Sequence, residues 1–331
     1  MRASRILRSA LVLLFGGIAI ADLAVAQNLA AAQEKYPTRA VRIVIPYPAG
    51  GGTDTIGRLV ADQLSRKWGQ PVVVENIGGA AGNTGAAQVF KAAPDGYSML
   101  IASPGPIATN GFLYKDMPFD PARWTSIALL ATGPYVLVVR KNFEASTVKE
   151  LVARAKAAPG KITAATPGVG SVGHLATVQL EMLGGIKTTL VPYRGLSPAV
   201  NDLIAGHVDL MFDTPTTSLP LHREGRVKII ATGTTERVKE FPDIPTIAET
   251  LPGYRSVTWY AMTAPPGMAP ALADRINRDV NEILARKEVA ERVRGIQMSP
   301  VTWPRTTAAK FFGEETQLWG RVIKQANIQP Q

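Results

Sequence analysis

Residues 41–64 read VRIVIPYPAGGGTDTIGRLVADQL, a hydrophobic run followed by a glycine-rich loop and an amphipathic segment. The run from Val41 to Ile45 is almost continuously apolar, as is typical of a parallel strand covered on both faces. Pro46 ends the strand, and the glycines at 50–52 let the backbone turn several N–H groups toward one point. The pattern predicts a strand, a loop and a helix N-terminus, which together form a general anion-binding arrangement.

Related units recur along the chain and predict an α/β fold. A second glycine loop occupies residues 78–85, and a later apolar strand ends at Ser103. A further glycine loop spans residues 166–173, and another apolar strand ends at Asp213. Because α/β sheets bind ligands beyond the carboxyl ends of their strands, we expect these loops to line one cleft.

The length of the chain favours two domains over one. A strand at 135–140 is expected to cross into the second domain, and a strand at 257–263 to return to the first. Three amphipathic helices predicted near the end of the chain are placed on the outside of the first domain. We therefore predict one lobe formed by residues 36–131 and 255–331, and a second lobe formed by residues 132–254.

The first 26 residues have the features of a cleaved secretory leader. Three arginines, at positions 2, 5 and 8, precede an apolar stretch at 10–21, and Ala24-Val25-Ala26 supplies small residues at the cleavage positions. The apolar stretch is shorter than the roughly twenty residues that a membrane helix needs. We expect cleavage before Gln27 and a periplasmic mature protein.

Charge and composition exclude several other classes. The formal net charge is +10, of which the leader's three Arg and one Asp supply +2, leaving +8 for the mature chain. The basic residues are scattered and form no run, so no nucleic-acid partner is expected. Cysteine is absent and histidine occurs three times, so we expect no disulfide, no metal site and no cofactor.

Two catalytic readings remain as alternatives. The glycines at 168, 170 and 173 match the dinucleotide-binding pattern, but no acidic residue ends a following strand about twenty positions on. Ser171 and His174 lie three residues apart at a predicted helix start, which leaves a secreted Ser/His hydrolase open. A nucleophile elbow also requires glycine two residues before the serine, where this chain has Val169.

The predicted loops contain few charged side chains. Apart from Arg194, they lack Lys and Arg, so an anion would be held by N–H and hydroxyl groups and could be released. Asp213 is either a loop cap or part of the cleft. Tyr47 and Tyr193 either wall a ligand or pack in the ordinary way. This composition favours reversible binding over catalysis, so no catalytic residue is predicted.

Several segments together resemble one known family. These are IPYPAGGGTDTIGR, PVVVENIGGAAGNTG, APDGYSML, TPGVGSVGHL, VPYRG with SPAVNDLIAGHVDLMFD, and PDIPTIAE. In this order they are similar to the substrate-binding proteins of tripartite tricarboxylate transporters, the Bug family, over nearly all of the mature chain.

The resemblance implies a type II periplasmic-binding-protein fold. Each of its two lobes would contain a mixed, mostly parallel sheet flanked by helices, and two strands would cross the hinge. The protein would capture a small organic carboxylate, without chemistry, and deliver it as a monomer to integral membrane transporter subunits. A receptor that feeds a membrane sensor remains the alternative. The positions that match the family's motifs, together with candidates next to them in the sequence, are the expected ligand-binding residues. They are Tyr47, Pro48, Ala49, Gly50, Gly51, Gly52, Thr53, Asp54, Ser103, Thr166, Gly170, Ser171, His174, Tyr193 and Asp213.

Overall fold

A computed structural model describes residues 36–166, 168, 171–193 and 196–330. The strands are β1 (Val41–Ile45), β2 (Val72–Asn76), β3 (Ser98–Ala102), β4 (Thr125–Pro134), β5 (Val136–Arg140), β6 (Thr163–Thr166), β7 (Thr189–Pro192), β8 (Leu210–Asp213), β9 (Val227–Thr232), β10 (Val257–Ala264) and β11 (Ser299–Pro300). The helices are α1 (Gly52–Trp68), α2 (Asn83–Phe90), α3 (Asn110–Leu113), α4 (Val148–Ala157), α5 (Val172–Gly184), α6 (Leu196–Ala205), α7 (Pro215–Arg223), α8 (Pro270–Ala285), α9 (Lys287–Gly295) and α10 (Arg305–Gln325).

The strands form two sheets. The first sheet has six strands in the order β11-β4-β10-β3-β1-β2, and the second has five in the order β7-β6-β8-β5-β9. The chain passes from the first sheet to the second between β4 and β5, and it returns before β10. The two hinge crossings predicted from the sequence are therefore where the chain changes sheets.

Both faces of each sheet are covered by helices, which explains the continuous apolar strands. In β1, Ile43 and Ile45 pack in a core with α1 and α8, whereas Val44 packs on the opposite face with α2 and α10. The second sheet is covered by α4 and α5 on one face and by α6 and α7 on the other. The prediction of a strand at Val41–Ile45 that is covered on both faces is confirmed.

The hinge is held by backbone hydrogen bonds among three segments. Gly233 N donates to Tyr135 O at 2.7 Å, Ser256 N donates to Gly233 O at 2.7 Å, and Tyr135 N donates to Ser256 O at 3.2 Å. The lobes also meet away from the hinge, where Trp319 and Ile323 of α10 pack against Leu175 of α5.

Two features differ from the sequence-based expectations. Each sheet is mixed, but "mostly parallel" is too strong, because the hinge strands β4, β5 and β10 pair antiparallel with their neighbours. Helix α7 was not predicted, and it continues through Pro220. The exact lobe boundaries, at residues 131/132 and 254/255, stay a prediction.

Within the described residues, no helix is both long and apolar enough to cross a membrane.

Candidate functional site

A cavity of about 370 Å³ lies between the two sheets. It is bordered by the loops after β1 and β3, by the start of α5 and by hinge residues. The lining residues are Tyr47, Ala81, Ser103, Pro104, Gly105, Thr109, Asn110, Leu113, Tyr114, Tyr135, Gly168, Ser171, Val172, Thr258, Ile328 and Gln329.

One part of the cavity presents hydroxyl groups. Ser103, directly after β3, donates through Oγ to the Tyr47 hydroxyl at 2.7 Å. Burial raises the pKa of Tyr47 to about 12, against the lowering effect of the Ser103 hydrogen bond. Tyr47 therefore stays protonated at neutral pH and can act as a hydrogen-bond donor. Both residues were predicted from the sequence, and the structure brings them together.

Two helix N-termini from opposite lobes meet the cavity. Pro104 and Gly105 begin a helical stretch that includes a π-helical turn and continues into α3, and Ser171 and Val172 stand at the start of α5. The first N–H groups of a helix have no intrahelical partner, and the helix dipole places positive potential there. Both ends therefore favour an anion in the space between them.

Ser171 has a structural role at its helix start. Its Oγ accepts a hydrogen bond from His174 N at 3.2 Å, which is the usual N-cap arrangement. The same hydroxyl shares a hydrogen bond with Thr166 Oγ1 at 3.2 Å, and Thr166 Oγ1 also donates to Gly168 O at 3.0 Å. These bonds tie Thr166, Gly168 and the start of α5 together.

The first glycine loop is ordered by Asp54. The carboxylate accepts hydrogen bonds from Gly50 N at 3.0 Å, from Arg58 Nε at 3.0 Å and from Asn76 Nδ2 at 2.9 Å. Burial alone would raise the pKa of Asp54, but these bonds hold it below its usual value. The helix N-cap is Gly51 and has no side-chain cap.

Among the described residues that line the cavity, none comes from the segment 48–54. The Gly52 end of this segment packs against the Tyr260 hydroxyl. Tyr260 is also close enough to Tyr47 and Tyr135 to contribute to their raised pKa values, after burial as the main cause. Tyr260 therefore links the Gly52 end of the loop to the neighbourhood of Tyr47 and Tyr135.

Asp213 lies at the end of β8 in a fully buried position. Its carboxylate accepts hydrogen bonds from Thr214 N at 2.6 Å and from the Ser218 hydroxyl. Burial raises the pKa of Asp213 to about 6, and these two hydrogen bonds oppose that rise. It is near enough to Tyr135 to influence it but is not among the residues lining the cavity.

Two further residues predicted from the sequence, Tyr193 and His174, do not line this cavity. Tyr193 donates to Asp202 Oδ2 at 2.6 Å, and partial burial together with this bond raises its pKa to about 12. His174 is buried, which lowers its pKa, and it lines a second cavity beside the first. Gly170 and Arg194 lie outside the described residues.

Several lining residues were not predicted from the sequence. Asn110 joins two loops by donating to Ala81 O at 3.1 Å and to Asn83 Oδ1 at 2.7 Å. Tyr135 and Thr258 come from the hinge, and Ile328 comes from the segment after α10. Asn110 lies inside the helical stretch that begins at Pro104, and no local pattern marks either Asn110 or Ile328 as a cavity residue.

The site has the chemistry of reversible anion binding. The described residues lining the cavity include no Asp, Glu, His, Lys or Arg. Among all described residues, no group of three or more His, Cys, Asp or Glu is placed to hold a metal ion. Binding would therefore depend on N–H dipoles and hydroxyl groups.

Comparison with known proteins agrees with this geometry. Residues 56–328 match the family described as the tripartite tricarboxylate transporter family receptor. Protein BugT of Bordetella pertussis is 32% identical over 312 residues, covering 93% of this chain and 95% of BugT.

Two solved structures from Rhodopseudomonas palustris are similar over most of their length. Rpa4515 with adipate is 34% identical with a TM-score of 0.77, covering 89% of this chain and all of that one. MatC with bound malate is 31% identical with a TM-score of 0.72, covering 87% of this chain and all of that one. Both the family match and the full-length relatives support one conclusion: the chain belongs to the tripartite tricarboxylate transporter receptor family of periplasmic binding proteins, as its resemblance to the Bug proteins predicted.

Proposed function

We propose that this protein captures a small organic carboxylate in the cavity between its lobes and delivers it to integral membrane subunits of a tripartite tricarboxylate-type transporter. The observation that carries the proposal is the meeting of two helix N-termini, at Gly105 and Ser171, in a cavity whose described lining carries no ionised side chain. Related proteins have been solved with adipate and malate, both of which are carboxylates.

The ligand carboxylate would be held by the Tyr47 hydroxyl, which Ser103 positions by donating a hydrogen bond to it, and by the N–H groups at the two helix starts. The amides of residues 51–53, which are outside the described lining of the cavity, form a second candidate group at the start of α1. Gly50 N is left out of this group because it already donates to Asp54. Because such a site forms no salt bridge with the ligand, release at the membrane would not require an ion pair to be broken. Closure of the two lobes about the hinge would make the handover selective.

Ligand binding can be tested by thermal shift and titration calorimetry with a panel containing adipate, malate, citrate and short monocarboxylates. Binding to the folded state alone raises the melting temperature by mass action. Replacing Ser103 by Ala is expected to weaken binding about tenfold, since the Tyr47 hydroxyl loses the hydrogen bond that orients it. Ser197→Ala, at an exposed position of α6, is the matched control. If no carboxylate at millimolar concentration shifts the melting temperature, the proposal fails.

Export is the second part of the proposal. Residues 1–26 would be removed before Gln27, leaving a periplasmic protein that we expect to be a monomer. Mass spectrometry of the protein isolated from the periplasm gives the mature N-terminus directly. A mature chain that begins at Met1 would contradict the leader assignment.

Of the two alternatives, the hydrolase is disfavoured by membership of a receptor family. A receptor that feeds a membrane sensor shares the same binding site and remains distinguishable only by its partner. Uptake of a labelled ligand by cells lacking this protein separates the two: loss of uptake supports transport, whereas unchanged uptake with altered gene expression supports sensing.

A further inference from the structure

The segment after α10, residues 326–330, crosses to the cavity and is here called the strap. Asn327 N donates to Lys324 O and Ile328 N donates to Ile323 O, both at 3.1 Å. Asn327 adopts a left-handed conformation with φ of 52°, which asparagine tolerates better than most residues. The Gln329 side chain donates back to Asn327 Oδ1 at 2.9 Å. These bonds give the strap a defined path.

The strap is shared by two cavities. Ile328 and Gln329 line the cavity between the lobes, and they also line a neighbouring cavity of about 440 Å³ that includes His174 and Glu181. Ala326 and Asn327 line only the neighbouring cavity. The strap is therefore the common wall of the two cavities.

The part of the ligand cavity beside the strap is apolar. Four of its lining residues pack on one hydrophobic cluster, built around Trp319 of α10 and Leu175 of α5. The hydroxyl pair of Tyr47 and Ser103 lies elsewhere, because Tyr47 packs against the two cores of the first sheet. The four residues beside the strap are Leu113, Tyr114, Val172 and Ile328.

Away from the N-terminus of α5, this apolar part is a poor place for a second carboxylate. The described lining residues offer it no cation. Glu181, which lines the neighbouring cavity, already accepts hydrogen bonds from Thr188 N at 2.6 Å and Thr188 Oγ1 at 2.7 Å. Removing a carboxylate from water without a partner is costly, whereas removing an alkyl or aryl group from water is favourable.

We propose that the strap selects ligands with a single carboxylate and an apolar remainder, and that Ile328 is the residue that makes this selection. The inference rests on the proposed function, because it assumes that a carboxylate occupies the polar part of the same cavity. The substrate class would be the amphiphilic monocarboxylates. The residue that determines this specificity, Ile328, lies far along the chain from the glycine loops.

The test compares acids matched in length by titration calorimetry on the mature chain: hexanoate against adipate, butyrate against succinate, and benzoate against phthalate. We expect the monocarboxylate of each pair to bind at least tenfold more tightly. Acetate is included as a short acid that occupies only the polar part.

Variants at the strap give the decisive comparison. Ile328→Ser is expected to weaken hexanoate binding about tenfold and to leave acetate binding unchanged. Ile328→Lys supplies a cation to the apolar part, so it is expected to reverse the preference within the hexanoate and adipate pair. Ala326→Ser is the matched control, since Ala326 lines only the neighbouring cavity. Ile328 is only half-buried, so the melting temperature of each variant should stay close to that of the parent.

The outcomes separate the two proposals. If the dicarboxylate of each pair binds as tightly as the monocarboxylate, or if Ile328→Lys leaves the ratio unchanged, the strap assignment is overturned while carboxylate binding stands. If no acid of the panel binds, the proposed function falls, and the strap assignment falls with it.

Discussion

Gly52 is the residue of the first glycine loop with the least room for a side chain. A Cβ at this position would overlap the Tyr260 hydroxyl, whereas a Cβ at Gly51 would meet nothing within 4 Å. Gly51 has φ of −78°, so alanine is also free of backbone strain there. Packing against Tyr260 therefore requires glycine at position 52, whereas neither packing nor backbone conformation requires it at position 51.

Gly52→Ala is therefore expected to lower the melting temperature, corresponding to about 1–3 kcal/mol of overpacking. Gly51→Ala is expected to be nearly neutral. Adding Tyr260→Phe to Gly52→Ala removes the closest overlapping atom and should restore part of the lost stability. Thermal unfolding of the four proteins measures this, and equal melting temperatures for the two alanine variants would contradict it.

The raised pKa of Asp213 leads to a prediction about how stability depends on pH. Its pKa in the folded protein is about 6, above the ordinary value of 3.8. A raised folded-state pKa contributes stability that is present below about pH 4 and is lost as the pH rises through 6. Relative to Asp213→Asn, the parent should lose on the order of 2–3 kcal/mol of unfolding free energy between pH 4 and pH 7. Urea denaturation at several pH values measures the difference, and a constant difference would contradict the prediction.

At the scale of elements, the strand, glycine-loop and helix units were predictable because apolar periodicity and glycine act locally. The strand β4 was not predicted, because its residues run directly into Tyr135 and β5 with no polar turn between them. Helix α7 contains Pro220, which removes a backbone donor and argues against a helix. Helix α7 also makes a long-range contact, in which Thr216 Oγ1 donates to Ile296 O at 3.0 Å. A contact between segments this far apart in the chain cannot be predicted from local sequence.

The residues of the site also divide into those that local sequence predicts and those that depend on long-range packing. Tyr47, Ser103 and Ser171 were identified because each stands at the end of a strand or the start of a helix. Tyr135 and Ile328 were missed because their positions in the cavity depend on how distant segments pack. Tyr135 lies at the hinge, and Ile328 follows a helix that looked purely structural.

Helix α10 is anchored by one buried acid. Glu315 is fully buried and accepts hydrogen bonds from Arg255 Nη2 at 2.5 Å, Trp259 Nε1 at 2.9 Å and Trp319 Nε1 at 3.1 Å. Burial raises the pKa of Glu315, although the three donors oppose that rise. Because Arg255 lies at the hinge and Trp319 packs against α5, this carboxylate joins three parts of the molecule.

Glu315→Leu leaves these donors without an acceptor, and we expect it to lower the free energy of unfolding by about 3–5 kcal/mol. Glu315→Gln keeps one acceptor oxygen and should lose less. The control is Glu314→Gln, because the side chain of Glu314 is exposed, with Lys310 Nζ 3.9 Å away. Urea denaturation measures all three, and a Glu315→Leu protein as stable as the control would show that the network is not stabilising.

At the scale of the whole molecule, the two sheets are joined at the hinge by the hydrogen bonds of Tyr135, Gly233 and Ser256. Packing between α5 and α10 forms a second connection away from the hinge. The cavity lies between these connections and borders both, since Tyr135 and Val172 line it. Tyr135 belongs both to the hinge hydrogen bonds and to the cavity wall, so we expect lobe movement to be coupled to ligand access through the hinge backbone.

Gly233→Ala tests this coupling. A Cβ at Gly233 would overlap the Ser256 carbonyl oxygen, and backbone cannot move aside as a flexible side chain can. We expect the variant to lose about 1–3 kcal/mol of unfolding free energy and to show a larger radius of gyration by small-angle X-ray scattering, because the hinge segments separate. Gly313→Ala in α10 has open space around its Cβ and is expected to gain up to about 1 kcal/mol. A Gly233→Ala protein with parental stability and dimensions would place the constraint on lobe movement outside the hinge, at the α5–α10 contact.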